Sequence, residues 1–270
     1  MADTIAFPRL LSINWLRERY CKRELTPREV VTEIIARVTE DKAKHAWITA
    51  PSFPLVEPYL TKLEGSKPTE LPLWGIPFAI KDNIDLAGVK TTAGCPEYAY
   101  LPEKSATVVE RLIAAGAIPI GKTNLDQFAT GLVGTRSPYG EVHNALQDEL
   151  ISGGSSSGSA VAVAMGHASF ALATDTAGSG RIPAALHHLV GYKPSLGAWP
   201  VSGVVPACAS IDCVTVLAGE LDEALLVDQT VRGLDEQDPW SRTLPSCSRS
   251  FPKTLSLPRE ELTFFWPVCG

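Results

Sequence analysis

The sequence predicts an α/β fold in which helices flank a mixed or largely parallel central β-sheet. Three observations carry that prediction. From Leu73 onward, short apolar runs alternate with amphipathic stretches of helical period, the pattern of strand–helix–strand units. The chain has 270 residues, 45% of them hydrophobic and 20% charged, which is enough apolar matter for a sizeable core. Glycine- and serine-rich loops follow the apolar runs, where sites usually fall in such sheets.

Taken in order, the first well-marked element is a helix opening at Thr26-Pro27-Arg28-Glu29. Thr26 can accept from the N3 amide, Pro27 has no N–H to satisfy at N1, and Glu29 can reach back to the cap. Val30, Val31, Ile34, Ile35 and Val38 then share one face, so this is a packing helix. Residues 76–80 read as a buried strand. Residues 107–115 form a short helix with Val108, Val109, Leu112 and Ile113 on one side, ended by Gly116. The next strand, 117–120, delivers Lys122, Thr123 and Asn124 to a turn. Residues 161–165 continue as a helix out of a serine-rich loop, and 168–173 form the strand before Asp175. After about Val231 the texture changes to a polar loop, then a Ser/Pro-rich stretch, then an aromatic ending at 264–270. Such residues normally sit inside an element that continues. The ending reads as a truncation or an altered reading frame, with a docking terminal strand as the alternative.

The bulk composition excludes several classes. Net charge is −6, so no basic surface recommends nucleic acid or an anionic membrane. Cys21, Cys95, Cys208, Cys213, Cys247 and Cys269 are scattered, with no Cys-x-x-Cys and no histidine at ligand spacing. Neither a metal site nor a disulfide framework is expected. The start carries no secretory signal, and the longest weakly polar run, 159–174, is too short to span a bilayer. A cytoplasmic protein is the expectation.

Three residues point to chemistry. Lys81 closes an apolar stretch; Ser155 lies in Gly153-Gly154-Ser155-Ser156-Ser157-Gly158-Ser159; Ser179 lies in Asp175-Thr176-Ala177-Gly178-Ser179-Gly180-Arg181. A lysine and two serines suffice for acyl transfer without histidine, because a desolvated amine can act as the base. Singly, each has a plainer reading: a flexible linker or structural turn, a lysine snorkelling to water, a turn serine. Neither phosphate-loop pattern is present. Gly178 and Gly180 allow successive backbone N–H groups to approach a bound carbonyl. His143, His167, His187 and His188 read as core or surface residues.

Together and in this order, Lys81, Gly153 to Ala160 and Thr174 to Ala184 resemble the amidase signature family. The likeness runs from about Trp74 to about Val216 and weakens on either side. The resemblance implies the amidase signature fold in one domain over 1–270. That domain comprises N-terminal helices about 1–65, a signature core about 70–216 and an irregular, truncated tail about 232–270, its sheet left incomplete. It implies Ser179 as nucleophile, Ser155 as a bridging serine preceded by a cis peptide bond, and Lys81 as base. It assigns the oxyanion hole to the amides of Thr176, Ala177, Gly178 and Ser179, with Asp175 and Arg181 as structural supports. Neutral Lys81 then takes a proton from Ser155, which takes one from Ser179 as it attacks the amide; no metal or organic cofactor is required.

Within the family, residues 121–140, Ile151 to Gly154, Val205 to Cys208 and Asp212 to Val214 resemble the allophanate hydrolase branch. That likeness implies hydrolysis of a small linear amide, allophanate (urea-1-carboxylate), to ammonia and ultimately carbon dioxide. It also implies a functional link to a biotin-dependent urea carboxylase, and a homodimer is compatible with it. The branch's substrate-gripping arginine and tyrosine fall downstream of Gly270, so no substrate-binding residue is assigned here. Weak or absent activity is expected of the 270-residue chain by itself. The alternatives are a broader amidase, a glutamyl-tRNA amidotransferase of the A type, or an inactive remnant.

Overall fold

Residues 5–244 are described by a computed structural model. Two helices open the chain. Ser12 caps α1 (Ile13–Cys21) by accepting from the Trp15 N–H at 3.1 Å. Thr26 caps α2 (Pro27–Glu40): its hydroxyl accepts from the Glu29 N–H at 3.3 Å, and Glu29 Oε2 accepts from the Thr26 N–H at 2.8 Å. This is the reciprocal cap expected from the sequence. Val30, Val31 and Ile34 are buried, while Ile35 and Val38 pack on the core's margin. There follow β1 (Trp47–Thr49), α3 (Phe53–Leu63), β2 (Pro77–Lys81), α4 (Thr107–Ala114) and β3 (Ile118–Thr123). The second half comprises α5 (Ser157–Ala164), β4 (Phe170–Thr174), α6 (Arg181–Ala185), β5 (Val190–Tyr192), β6 (Val214–Ala218) and α7 (Leu221–Val231).

The strands make one open mixed sheet in the order β1-β3-β2-β4-β6-β5. Strand β2 runs parallel to both β3 and β4, whereas β6 is antiparallel to β4 and β5, and β1 is antiparallel to β3. Every residue of β2, β3, β4 and β6 is buried. Strands covered on both faces are expected to be continuous apolar runs, which is why 76–80 and 168–173 were legible. Phe78 of β2 and Phe170 of β4 stack with ring centres 5.3 Å apart.

Three boundaries differ from the sequence expectation. Strand β3 runs on to Thr123, so Lys122 and Thr123 lie inside it and not in a turn. Lys122 is fully buried, its ammonium 3.1 Å from Asp82 Oδ1 and donating to Thr91 Oγ1 at 3.0 Å. A partner carboxylate lets a cation occupy a strand interior that its residue type argues against. Helix α5 starts at Ser157, four residues earlier than expected, and all of it is buried. Its small residues allow close approach: a side chain at Gly158 would collide with the Ala46 carbonyl and the Asn124 backbone. Strand β4 is shifted to 170–174, which brings Thr174 into the sheet. The aromatic ending, and with it the truncation reading, lies outside the described residues. Among the described residues, no helix is long and apolar enough to cross a membrane.

Candidate active site

Strand β2 ends at Lys81, β4 ends at Thr174, and the serine-rich loop enters α5 from the same side. The C-terminal ends of adjacent parallel strands thus converge with a helix N-terminus. Lys81 is fully buried, and its Nζ lies 2.7 Å from Ser155 Oγ and 2.8 Å from Thr174 Oγ1. Burial pulls its pKa from the ordinary 10.5 down to about 7, against the opposing pull of Asp126, Asp175 and Asp212. Ser155 is also fully buried, and the Gly154–Ser155 peptide bond is cis, as the resemblance implied. Glycine is required before it, because a side chain at Gly154 would strike the Asp126 carboxylate.

Ser179 lies on the loop that leaves β4 and is 4% exposed. Its carbonyl accepts from the Ser156 N–H at 3.1 Å, so a backbone bond ties its loop to the cis serine. Its hydroxyl makes no hydrogen bond within the described residues. The structure therefore places Lys81 and Ser155 in direct contact and Ser179 beside them without a Ser155–Ser179 hydroxyl bond. Such bonds often tighten only when substrate is present.

Asp175 is fully buried and organises the loop. It accepts from Gly178, Gly180 and Arg181 amides at 2.8, 3.1 and 3.1 Å, from the Arg181 guanidinium at 2.9 and 3.0 Å, and from Lys193 at 3.2 Å. Burial pushes its carboxyl up, but Arg181, the amides and Lys193 more than offset this and hold it well below the usual range. Of the four amides that the resemblance implied for an oxyanion, that of Gly178 donates to Asp175 in this structure. The amides of Thr176, Ala177 and Ser179 have no acceptor among the described residues. The tight turn that bends Gly178 back to Asp175 has φ of +129° at this glycine, which an L side chain rarely adopts.

The family model described as Amidase matches residues 29–263. The chain belongs to the amidase family. The chain is 55% identical over 195 residues to a urea amidolyase of Lachancea kluyveri, an alignment covering 71% of this chain and 11% of that one. It is 39% identical to the A-type chain of a glutamyl-tRNA(Gln) amidotransferase from Symbiobacterium thermophilum, over 88% of this chain and 50% of that one. Among solved structures, Kluyveromyces lactis allophanate hydrolase superposes with a TM-score of 0.81 and 45% identity, over 88% of this chain and 40% of that chain. The chain thus spans half or less of the length of these relatives.

The candidate site also contains residues to which sequence reading assigned no role. Asn83 donates to Thr174 Oγ1 at 3.3 Å and to the Val205 carbonyl at 3.0 Å, fixing the hydroxyl that meets Lys81. The Asp126 amide donates to the Ser155 carbonyl at 3.1 Å, while its carboxylate accepts from Gly134 and Arg136 amides at 3.1 and 2.9 Å. Asp212 accepts from the Thr176 hydroxyl and from Ala207 and Cys208 amides at 2.8 and 3.0 Å. Asn83 stands two residues past Lys81 and offered a local signal. Asp212 stood only within the branch-like stretch Asp212 to Val214, with nothing there to mark a role. The histidines lie in other networks: His187 Nδ1 bonds to the Pro183 carbonyl at 2.8 Å, and His167 Nε2 meets Asp41 at 2.9 Å.

Proposed function

We propose that this chain carries the acyl-transfer centre of an amide hydrolase whose substrate is allophanate. The observation that carries the reading is a fully buried lysine amine, its pKa near 7, in hydrogen-bond contact with Ser155 at 2.7 Å. Neutral Lys81 accepts the Ser155 proton while Ser155 accepts the Ser179 proton, and Ser179 Oγ attacks the amide carbon. The carbonyl oxygen gains negative charge and is met by the amides of Thr176, Ala177 and Ser179. Collapse breaks the C–N bond, and the proton held by Lys81 returns through Ser155 to the leaving nitrogen. A water then gives its proton back through the same pair as its oxygen attacks the acyl ester, releasing the acid and restoring Ser179. Every proton is passed between residues of this chain, substrate and water.

Allophanate as the particular amide is supported by the relatives named urea amidolyase and allophanate hydrolase. A urea carboxylase that supplies allophanate is the implied partner, and the cytoplasm the implied location. The amidotransferase relative, aligned over 88% of this chain, favours glutamine as a second candidate amide. Ammonia release from allophanate, acetamide and glutamine, assayed side by side, separates these readings. A fluorophosphonate probe is expected to label wild type at Ser179, with no adduct in Ser179→Ala and slower labelling in Lys81→Ala. Folded wild type that takes no label at Ser179 would overturn the assignment.

A further inference from the structure

We infer that Asp212 is a positioning residue for the oxyanion-binding amides and acts through the Thr176 side chain. The inference rests on the amide-hydrolase reading above and assigns a role to a residue thirty-six positions beyond Thr176 in the chain.

Thr176 is the elbow between the end of β4 and the nucleophile, and it is gripped at two points. Its hydroxyl donates to Asp212 Oδ1, and its carbonyl accepts from Lys193 Nζ at 3.0 Å. In a trans peptide the C=O and N–H point opposite ways. Lys193 on the Thr176 carbonyl therefore turns the Ala177 N–H away from itself. The remaining freedom is rotation about the Thr176 backbone, which would swing its own N–H out of line. The bond from its side chain to Asp212 stops that rotation. Ala177 itself is exposed, and its N–H has no acceptor among the described residues. Nothing at Ala177 could replace the grip on Thr176.

Asp212 is suited to act as a fixed point. It is 5% exposed, and its second oxygen collects the Ala207 and Cys208 amides, so the 207–212 turn closes around the carboxylate. The Ile211 and Asp212 amides both return to the Cys208 carbonyl at 3.0 Å. Beyond it, the Cys213 carbonyl accepts from the Asp175 N–H at 2.8 Å, which aligns this segment with the start of the nucleophile loop. The Thr176 hydroxyl is thereby committed to Asp212 and leaves the oxyanion to backbone donors.

The plainer alternative is that Asp212 only ties its own turn together. Thr176→Val distinguishes the two, since it removes one hydroxyl from an isosteric side chain and leaves the Ala207 and Cys208 bonds in place. In the full chain, with ammonia release from an amide that wild type turns over, Thr176→Val should lower kcat by about 10–100-fold with KM within about twofold. Thr176→Ser should recover most of that loss. Asp212→Asn should lower kcat comparably, and the double variant should be no worse than the poorer single one, because both remove the same constraint. Wild-type kcat in Thr176→Val, an effect confined to KM, or losses that multiply in the double variant would each overturn the inference alone. Folded wild type that neither turns over an amide nor takes a fluorophosphonate label at Ser179 would instead overturn the hydrolase reading, and this inference with it. Thermal melts monitored by circular dichroism are the check that Thr176→Val remains folded.

Discussion

Lys81 meets two opposed demands: it must be neutral to take a proton, yet it must keep polar partners in a buried place. Desolvation supplies the first by pulling its pKa to about 7, and Ser155 and Thr174 supply the second. The activity consequence has a definite sign. kcat/KM should rise with pH through about 7 and then level off, as the free enzyme's amine loses its proton. Lys81→Met should lower the rate by about 10²–10⁴-fold and abolish that limb. A flat profile from pH ~6 to ~8 in active wild type would contradict the role. The same shift bears on stability. The amine's pKa is 10.5 ordinarily and about 7 when folded, so between those values the unfolded chain binds more protons. Unfolding free energy should therefore increase as pH rises through that window, and the contribution should vanish in Lys81→Met. Urea denaturation of both proteins at pH about 7 and about 9.5 measures the difference.

Among the elements, α5 shows how composition sets position. Ser157 to Ala164 has no amphipathic stripe, because the whole helix is buried and its small residues let it press on neighbouring backbone. Intrinsic propensity favours Ala over Gly in a helix by about 1 kcal/mol. Gly158→Ala should nevertheless destabilise the protein by about 1–3 kcal/mol, since the added methyl meets the Ala46 carbonyl and Asn124 backbone. Chemical denaturation checks this, and an unchanged midpoint would show that α5 can shift outward without cost. The element patterns also mark where sequence reading succeeds. The α2 cap is a local four-residue device and was legible in full. Strand β1 is only Trp47–Thr49, half-buried and too short for a period to emerge. The end of β3 was misplaced because Lys122 looks like a strand terminator until Asp82, from another segment, pairs with it.

Across the whole molecule, one hydrophobic cluster runs from Leu11 before α1 through the sheet to Val231 at the end of α7. Polar contacts cross the same span. The Ile13 N–H donates to Glu223 at 2.6 Å, and the Arg37 guanidinium bonds the Pro8, Arg9 and Gly166 carbonyls at 2.9, 3.0 and 3.3 Å. The N-terminal helices and the signature core should therefore unfold together. Leu16→Ala, which opens a cavity at a fully buried site, should cost about 2–5 kcal/mol and move tryptophan fluorescence and far-ultraviolet ellipticity transitions equally. Two transitions separating by probe would show that the N-terminal helices are an independent unit.

Residue order alone specified the local devices and the set Lys81, Ser155 and Ser179, whose glycine-rich settings carry the family resemblance. Three-dimensional packing had to supply the rest: that Lys81 is sealed from water, that the Gly178 amide belongs to Asp175, and that Asp212 holds Thr176. The reason is physical. A pKa and the allocation of hydrogen bonds depend on solvent exclusion and on partners distant along the chain, and neither leaves a period or a short motif to read.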